Sequence, residues 1–263
     1  MHQATATGSK RLRWIGGMAL LMTIAPQAMA DEPATGDAAL DDGSAGILVS
    51  APTPRSTADP IEKVNEKTFA LAQSADRAVV APLTTAYQRT LPAPLRDGVH
   101  NVLYNLREPV VITNYVLQHH IGKAGQSLAR LAINSTIGIG GLFDIARRKP
   151  FHWAYRPNGF ANTLGFYGVK PGPYMYLPIV GSTTVRDLVG TVADRMFLSV
   201  VVGSPFTQQA YRIPVVVLGT LDDRVVKDER IRQLRNAAGN PYVATRDAYL
   251  AGRKADIADL HHH

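Results

Sequence analysis

From residue 59 onward, apolar side chains recur every three or four positions, the spacing that puts them on one face of a helix. Ile61, Val64, Thr68, Leu71 and Ala75 make the first such stripe. It follows Asp59-Pro60-Ile61-Glu62, where Asp suits an N-cap, Pro the first helical position and Glu62 a capping box. Leu95, Val99, Val102, Leu103 and Leu106 form a second stripe, predicting a helix from about Pro94. Pro109 is expected to open a third helix over residues 110–119, and a fourth covers about 122–133. Helix resumes at Thr183 behind Ser182 as cap, with Val185, Leu188, Val189, Val192 and Met196 on one stripe. A further helix over 222–238 ends at Gly239, and Asn240-Pro241 starts the last, which runs to about Leu250.

Between these helices the pattern breaks. Residues 135–182 are dense in glycine and proline, which predicts turns, short helices and a short hairpin. Alternating strand patterns are otherwise scarce, so the fold class is mainly α with an irregular Gly/Pro-rich middle. The most apolar stretch, 197–218, is interrupted by Pro205, Gln208, Gln209, Arg212 and Pro214, too often for a membrane span.

Both ends carry a different signature. Lys10, Arg11 and Arg13 precede an apolar run from Trp14 to about Ala25, which ends in Ala28-Met29-Ala30. That order predicts a signal peptide over 1–30 and an exported chain. Residues 31–58 are rich in Ala, Asp, Gly, Ser, Thr and Pro and hold five acids against Arg55 alone, a disordered acidic tether. The ordered domain is expected over 59–252, and a flexible tail over 253–263, His261 to His263 included.

Charge and composition narrow the function. The formal net charge is +7, and with the acidic tether set apart the domain is basic. A basic exported surface meets phospholipid or lipopolysaccharide phosphates, or is simply soluble; export argues against nucleic acid. The chain has no cysteine, which excludes disulfides, thiolate catalysis, Cys-type zinc and a lipid-attachment cysteine within this sequence. Gly138-Ile139-Gly140-Gly141 has Phe143 where a dinucleotide loop needs its third glycine. No Gly-x-Ser-x-Gly elbow is present. His119 and His120, adjacent in sequence, face different sides of a helix, and Asp144, Asp187 and Asp194 read as caps and ion-pair partners. No catalytic residue, metal site or cofactor is expected.

The most distinctive motifs lie in the middle. They are Asp59-Pro60-Ile61-Glu62 with Asn65 and Phe69; Asn105-Leu106-Arg107-Glu108-Pro109 with Asn114 and Leu117-Gln118; and Arg130 followed by Asn134-Ser135-Thr136-Ile137-Gly138, Gly141 and Asp144. The longest run, 160–187, holds Thr163-Leu164-Gly165, Tyr167-Gly168, Gly172-Pro173-Tyr174, Leu177-Pro178, Gly181-Ser182 and Arg186-Asp187. Pro241-Tyr242, Arg246 and Ala248-Tyr249 close the series. In this order, over about 59–250, they resemble the MlaA/VacJ family. Departures are Glu66 where a basic residue is common, Ala161-Asn162 for Gly-Gln, His119 for a glycine, and the missing lipidated cysteine.

The resemblance implies a ring-like bundle of amphipathic helices embedded in one leaflet of the outer membrane, on its periplasmic face, around an amphipathic channel. It implies an outer-membrane component of an intermembrane phospholipid transport system, which removes mislocalised phospholipid from the outer leaflet and maintains lipid asymmetry. The implied partners are phospholipid, an outer-membrane porin trimer and a periplasmic lipid carrier of the Mla type. It points to Asn65, Phe69, Asn105, Glu108, Asn114, Arg130, Asn134, Asp144, Tyr167, Gly168, Arg186 and Asp187 as lipid-channel or gate candidates. For Arg130, Arg186 and Asp187 the residues alone leave two roles open, lipid contact or the fastening of helices. A porin-associated adaptor without lipid flux is the alternative function, and an envelope lipid hydrolase a third.

Overall fold

The computed structural model describes residues 58–236 and 239–261. The expected signal peptide and all but the last residue of the tether lie outside that range. The elements are α1 (Glu62–Ala75), a π-helical turn (Asp76–Val80), α2 (Ala81–Thr90), α3 (Ala93–Leu117), α4 (Ile121–Thr136), α5 (Phe160–Phe166), β1 (Tyr174–Leu177), β2 (Gly181–Thr184), α6 (Val185–Val201), α7 (Gln209–Val226), α8 (Asp228–Arg235) and α9 (Pro241–Asp259). The fold is mainly α, with one antiparallel hairpin in the Gly/Pro-rich middle pairing Tyr174 with Thr184 and Leu177 with Gly181.

Several boundaries differ from the sequence reading, each for a local reason. Pro109 does not open a helix; α3 runs straight through it. A proline inside a helix costs about 3 kcal/mol, and here flanking contacts to α4 offset it: Asn105 donates to Ser135 Oγ (3.0 Å), and Glu108 pairs with Arg130. Asp59 does not cap α1, because its carboxylate is committed to Asn65, Tyr242 and Arg246. Thr183 is in β2, and α6 starts one residue beyond Thr184, whose hydroxyl accepts from Asp187 N–H. The helix expected over 222–238 is instead the end of α7 and a separate α8. The tail expected to be flexible from 253 is helical to Asp259, with Arg253 bound to Asp187 and Leu260 buried. Asn240 does cap α9, accepting from Tyr242 N–H at 2.9 Å.

The hairpin is built into the first helix through one side chain. Asn65, 2% exposed, donates to the Tyr174 carbonyl (3.1 Å) and accepts from Tyr176 N–H (3.0 Å), so its amide acts as a strand partner for the free edge of β1. The Ala58 carbonyl takes the remaining Tyr174 N–H. Phe69, Tyr174 and Tyr242 pack beside this join, with Phe69 edge-on to Tyr176 and Tyr242 at 5.1 and 5.7 Å. A second apolar cluster, Val111, Tyr115, Ala124 and Leu260, ties the α3–α4 pair to the end of α9. At the α5–α6 crossing the helices approach so closely that a Cβ on Gly190 would lie 2.2 Å from Ala161 N.

Burial runs against the apolar stripes. Val64 and Leu71 of α1, Leu95 of α3, and Val189, Val192 and Met196 of α6 are exposed. The buried set is instead rich in Asn, Thr, Arg, Asp and Glu. The helices meet through hydrogen-bonded polar faces, and much of the apolar surface points out.

Two outcomes follow. Asn65→Leu leaves a buried N–H and a buried C=O without partners, so stability should fall by about 2–4 kcal/mol in a denaturant titration. Asp194 accepts from Phe160 N–H (2.9 Å), and burial pushes its carboxyl up to about 6. The folded chain then holds that proton more tightly than the unfolded chain. Its contribution is present below pH about 4 and is lost as pH rises through about 6. Asp194→Asn should flatten that part of the stability–pH curve, read as unfolding midpoints across the range.

Candidate functional site

The polar interior is organised around buried charges. Arg130 on α4, 3% exposed, donates from Nε to Glu108 on α3 at 2.7 Å, from one terminal nitrogen to the Trp153 carbonyl, and from the other to Asp144 at 3.4 Å. Asn134, one turn along α4, donates to Asp144 (2.9 Å) and accepts from Ala146 N–H (3.0 Å). These bonds pin the loop after α4 against the α3–α4 pair. Burial raises the Glu108 carboxyl above its ordinary range, and Arg130 offsets this only in part.

That loop closes a cavity of about 240 Å³, lined by His100, Asn101 and Tyr104 of α3, Arg130 and Asn134 of α4, and Asp144, Arg147, Ala154 and Tyr155 of the loop. A wider cavity of about 510 Å³ shares His100, Asn101, Asp144 and Arg147, and adds Tyr87, Arg96, Asp97, Arg148, Asp222, Val225 and Val226. The two cavities adjoin, with these four residues forming part of the wall of each. His100 Nδ1 lies 2.8 Å from Asp222 on α7, and its ring packs on Tyr104 at 4.1 Å, so the shared wall is held from both sides. Tyr155 sits between Tyr104 (4.6 Å) and the Arg130 guanidinium (5.9 Å).

Of the residues picked out from the sequence, Arg130, Asn134 and Asp144 line this cavity, with Glu108 and Asn105 directly behind them. The others gather elsewhere. Asn65 and Phe69 hold the hairpin. Asn114, fully buried, accepts from Thr163 (2.6 Å), which in turn accepts from Gln118 (2.8 Å), joining α3 to α5. Asp187 binds Arg186 (3.1 Å), Arg253 (3.0 Å) and the Tyr249 hydroxyl (2.5 Å). Burial would raise the Asp187 carboxyl, but the Arg253 and Tyr249 hydrogen bonds and the two guanidinium charges outweigh it and hold it below the usual range. Tyr167 is exposed and donates to the Leu117 carbonyl; Gly168, at φ +80°, takes the left-handed turn after α5.

The sequence reading passed over Tyr87, Arg96, His100, Tyr104, Arg147, Arg148 and Asp222. Two signals were available: His100 and Tyr104 at helical spacing on α3, and the basic run Arg147-Arg148-Lys149 just after Asp144. Arg130→Met strands the Glu108 carboxylate in the interior, and should cost about 3–5 kcal/mol of unfolding free energy. Glu108→Leu combined with Arg130→Met removes both charges and should recover most of that loss in the same chemical unfolding assay.

Among the described residues, no helix is long and apolar enough to cross a membrane. A profile of the family described as MlaA lipoprotein matches residues 57–256. A protein from Rickettsia felis with no assigned function is 33% identical over 199 residues, covering 76% of this chain and 78% of that protein. The intermembrane phospholipid transport system lipoprotein MlaA of Escherichia coli K12 is 31% identical over 207 residues, covering 78% and 80%. Its Haemophilus influenzae counterpart is 31% identical over 192 residues, covering 70% and 72%. A solved structure from work on the structural basis for maintenance of bacterial outer membrane lipid asymmetry superposes with a TM-score of 0.67 at 29% identity, over 76% of this chain and 98% of that one. A profile spanning most of the chain, relatives above 30% identity and a shared fold together make this chain a member of the MlaA family.

Proposed function

We propose that this protein is the outer-membrane component of an intermembrane phospholipid transport system, removing mislocalised phospholipid from the outer leaflet and passing it to a periplasmic carrier. The observation that carries the reading is the inverted distribution of polarity. Water would penalise each large apolar side chain left outside by about 1.5–3 kcal/mol. Here Leu71, Val200 and Ile179 stand 71, 73 and 95% exposed, while arginines and carboxylates are buried. An exterior of that kind is stable in hydrocarbon, and a polar interior with a charged cavity suits a lipid headgroup that hydrocarbon excludes. Ile179 sharpens the point. It is a β-branched residue at φ +70° on the hairpin tip, a conformation disfavoured by about 1–2 kcal/mol, and it holds an apolar side chain clear of the domain.

The rest of the reading follows from the family. The apolar exterior holds the chain in the periplasmic leaflet after export through the N-terminal signal. A porin trimer is the proposed neighbour in the membrane, and a periplasmic lipid carrier of the Mla type receives the cargo. No bond is made or broken in the lipid, and no metal or cofactor takes part. Irregular backbone at membrane depth is tolerated where it is buried in protein or lines a cavity, and the loop carrying Asp144, Arg147, Ala154 and Tyr155 fits that condition as a channel wall.

Deleting the gene should raise outer-leaflet phospholipid, and restoring it should reverse the rise, with surface-accessible lipid as the readout. An unchanged outer leaflet, in an assay that detects a known asymmetry defect, would overturn the transport role and favour an adaptor without lipid flux.

A further inference from the structure

The loop after α4 begins with an apolar tip that stands in the open. Ile137 and Ile139 are 65 and 68% exposed, and Leu142 and Phe143 are exposed as well. Ile139 is β-branched yet sits at φ +53°, a left-handed conformation that such residues rarely take. The tip is nonetheless tightly built. Gly141 N–H donates to the Asn134 carbonyl at 2.7 Å, and Phe143 N–H to the Gly138 carbonyl at 2.9 Å. Asn101 on α3 holds the Leu142 carbonyl at 3.1 Å. A Cβ on Gly138 would lie 2.3 Å from the Phe143 carbonyl oxygen, so the turn closes only on glycine. A fixed scaffold therefore keeps four apolar side chains on the surface.

Directly after that tip the loop turns basic and aromatic. Arg147, Arg148 and Lys149 are all exposed, and among the described residues none of them is ion-paired. Trp153 N–H returns to the Ala146 carbonyl at 2.9 Å, which brings the Phe151 and Trp153 rings, 5.3 Å apart, back alongside the triplet. Nearby acids leave the triplet its charge. Asp97, Asp144 and Asp222 share the wall of the wider cavity with Arg147 and Arg148. Of these, Asp222 is bound to His100, and Asp144 to Asn134 and Arg130. Lys149 borders neither cavity.

We infer that residues 137–153 are an anchor that seats the domain on a leaflet bearing anionic phospholipid, the tip among the acyl chains and Arg147-Arg148-Lys149 at the phosphate level. The two halves of the loop match the two layers of a leaflet edge. Apolar side chains gain by leaving water for hydrocarbon, cations gain beside anionic headgroups, and aromatic rings favour the boundary between. An acidic protein surface would match the triplet but leave the tip in water. Chain connectivity keeps the halves within the span of an interface, since five Cα steps from Phe143 to Arg148 cover at most about 19 Å. The lipid concerned lies outside the domain, against its surface. This rests on the membrane reading above and adds to it the segment that makes contact and the headgroup charge it prefers.

The chain carries two tryptophans, Trp14 in the expected signal sequence and Trp153 in the loop, so Trp14→Phe leaves Trp153 as the sole reporter. This full chain is reconstituted into vesicles of phosphatidylethanolamine and phosphatidylglycerol, one or the other brominated on its acyl chains to quench Trp153. At equal mole fraction, brominated phosphatidylglycerol should quench roughly twice as strongly as brominated phosphatidylethanolamine, and salt should narrow the gap. Arg147→Gln, Arg148→Gln and Lys149→Gln together should equalise the two. Ile139→Asp with Phe143→Asp should lower quenching by both lipids, by roughly twofold or more. All five side chains are exposed and aspartate tolerates the left-handed turn, so the fold survives, as unfolding midpoints check. Flotation of the same samples separates the failures. A chain that floats with the vesicles while Trp153 stays unquenched overturns the anchor, leaves membrane association standing and hands the triplet to an acidic protein partner. Equal quenching by both lipids, unmoved by the triple variant, overturns the headgroup preference. Quenching that survives Ile139→Asp with Phe143→Asp comes from lipid elsewhere and overturns the anchor. A chain that does not float overturns both the anchor and the membrane reading beneath it.

Discussion

Arg130 cannot be taken out of water by itself. The effective penalty for burying an unpaired ion is several kcal/mol, and only well-placed acceptors offset it. Those acceptors come from three places: Glu108 on α3, Asp144 in the loop after α4, and the Trp153 carbonyl further along that loop. Satisfying one guanidinium therefore fixes the loop on the helix pair, and the loop supplies four of the residues around the smaller cavity. The site is a by-product of an electrostatic obligation inside the domain. Of the two roles left open for Arg130 by the sequence, fastening is the one the contacts show: it ties α4 to α3 and to two points of the loop, and it also borders the smaller cavity.

The same logic recurs at two other buried acids and accounts for how distant parts of the chain are held. Asp59, 1% exposed, gathers Asn65, Tyr242 and Arg246, which lie on α1 and α9. Asp187 gathers Arg186, Tyr249 and Arg253, joining α6 to α9. Helix α9 is thus tied to α1 and to α6 through carboxylates rather than through a large apolar core. Hydrogen bonds of this kind are directional, so they specify register and angle more sharply than apolar contact does. That suits a protein whose large apolar side chains stand on the outside. Lipid gives no reward for hiding leucine, so polar contacts inside must do more of the work of defining the fold.

Much was legible in the chain from local chemistry. The helical periods, the glycine and proline run that could only be turns and a hairpin, and the Asn240-Pro241 start of α9 are all written in residues within a few positions of one another. So was the set of unusual polar residues, Asn65, Asn105, Glu108, Asn114, Arg130, Asn134, Asp144, Arg186 and Asp187, most of which the structure buries. Their order along the chain also identified the family.

Tertiary structure decided which face of each helix is inside. Periodicity marks an apolar stripe but carries no sign, and the same stripe serves a core in water or an exterior in lipid. The stripe of α1 points outward because Asn65 and Phe69, on the opposite face, find Tyr174 and Tyr242 more than a hundred residues away. The continuity of α3 through Pro109 likewise depends on partners from α4, and the helical course beyond Gly252 depends on Asp187 and the apolar contacts of Ile257. The cavity was least visible of all, because it is a space between α2, α3, α7 and a loop, and no single segment encodes a space. Sequence alone determined most of the helices and the family; long-range pairing of buried polar groups decided inside from outside, and with it where the cavities lie.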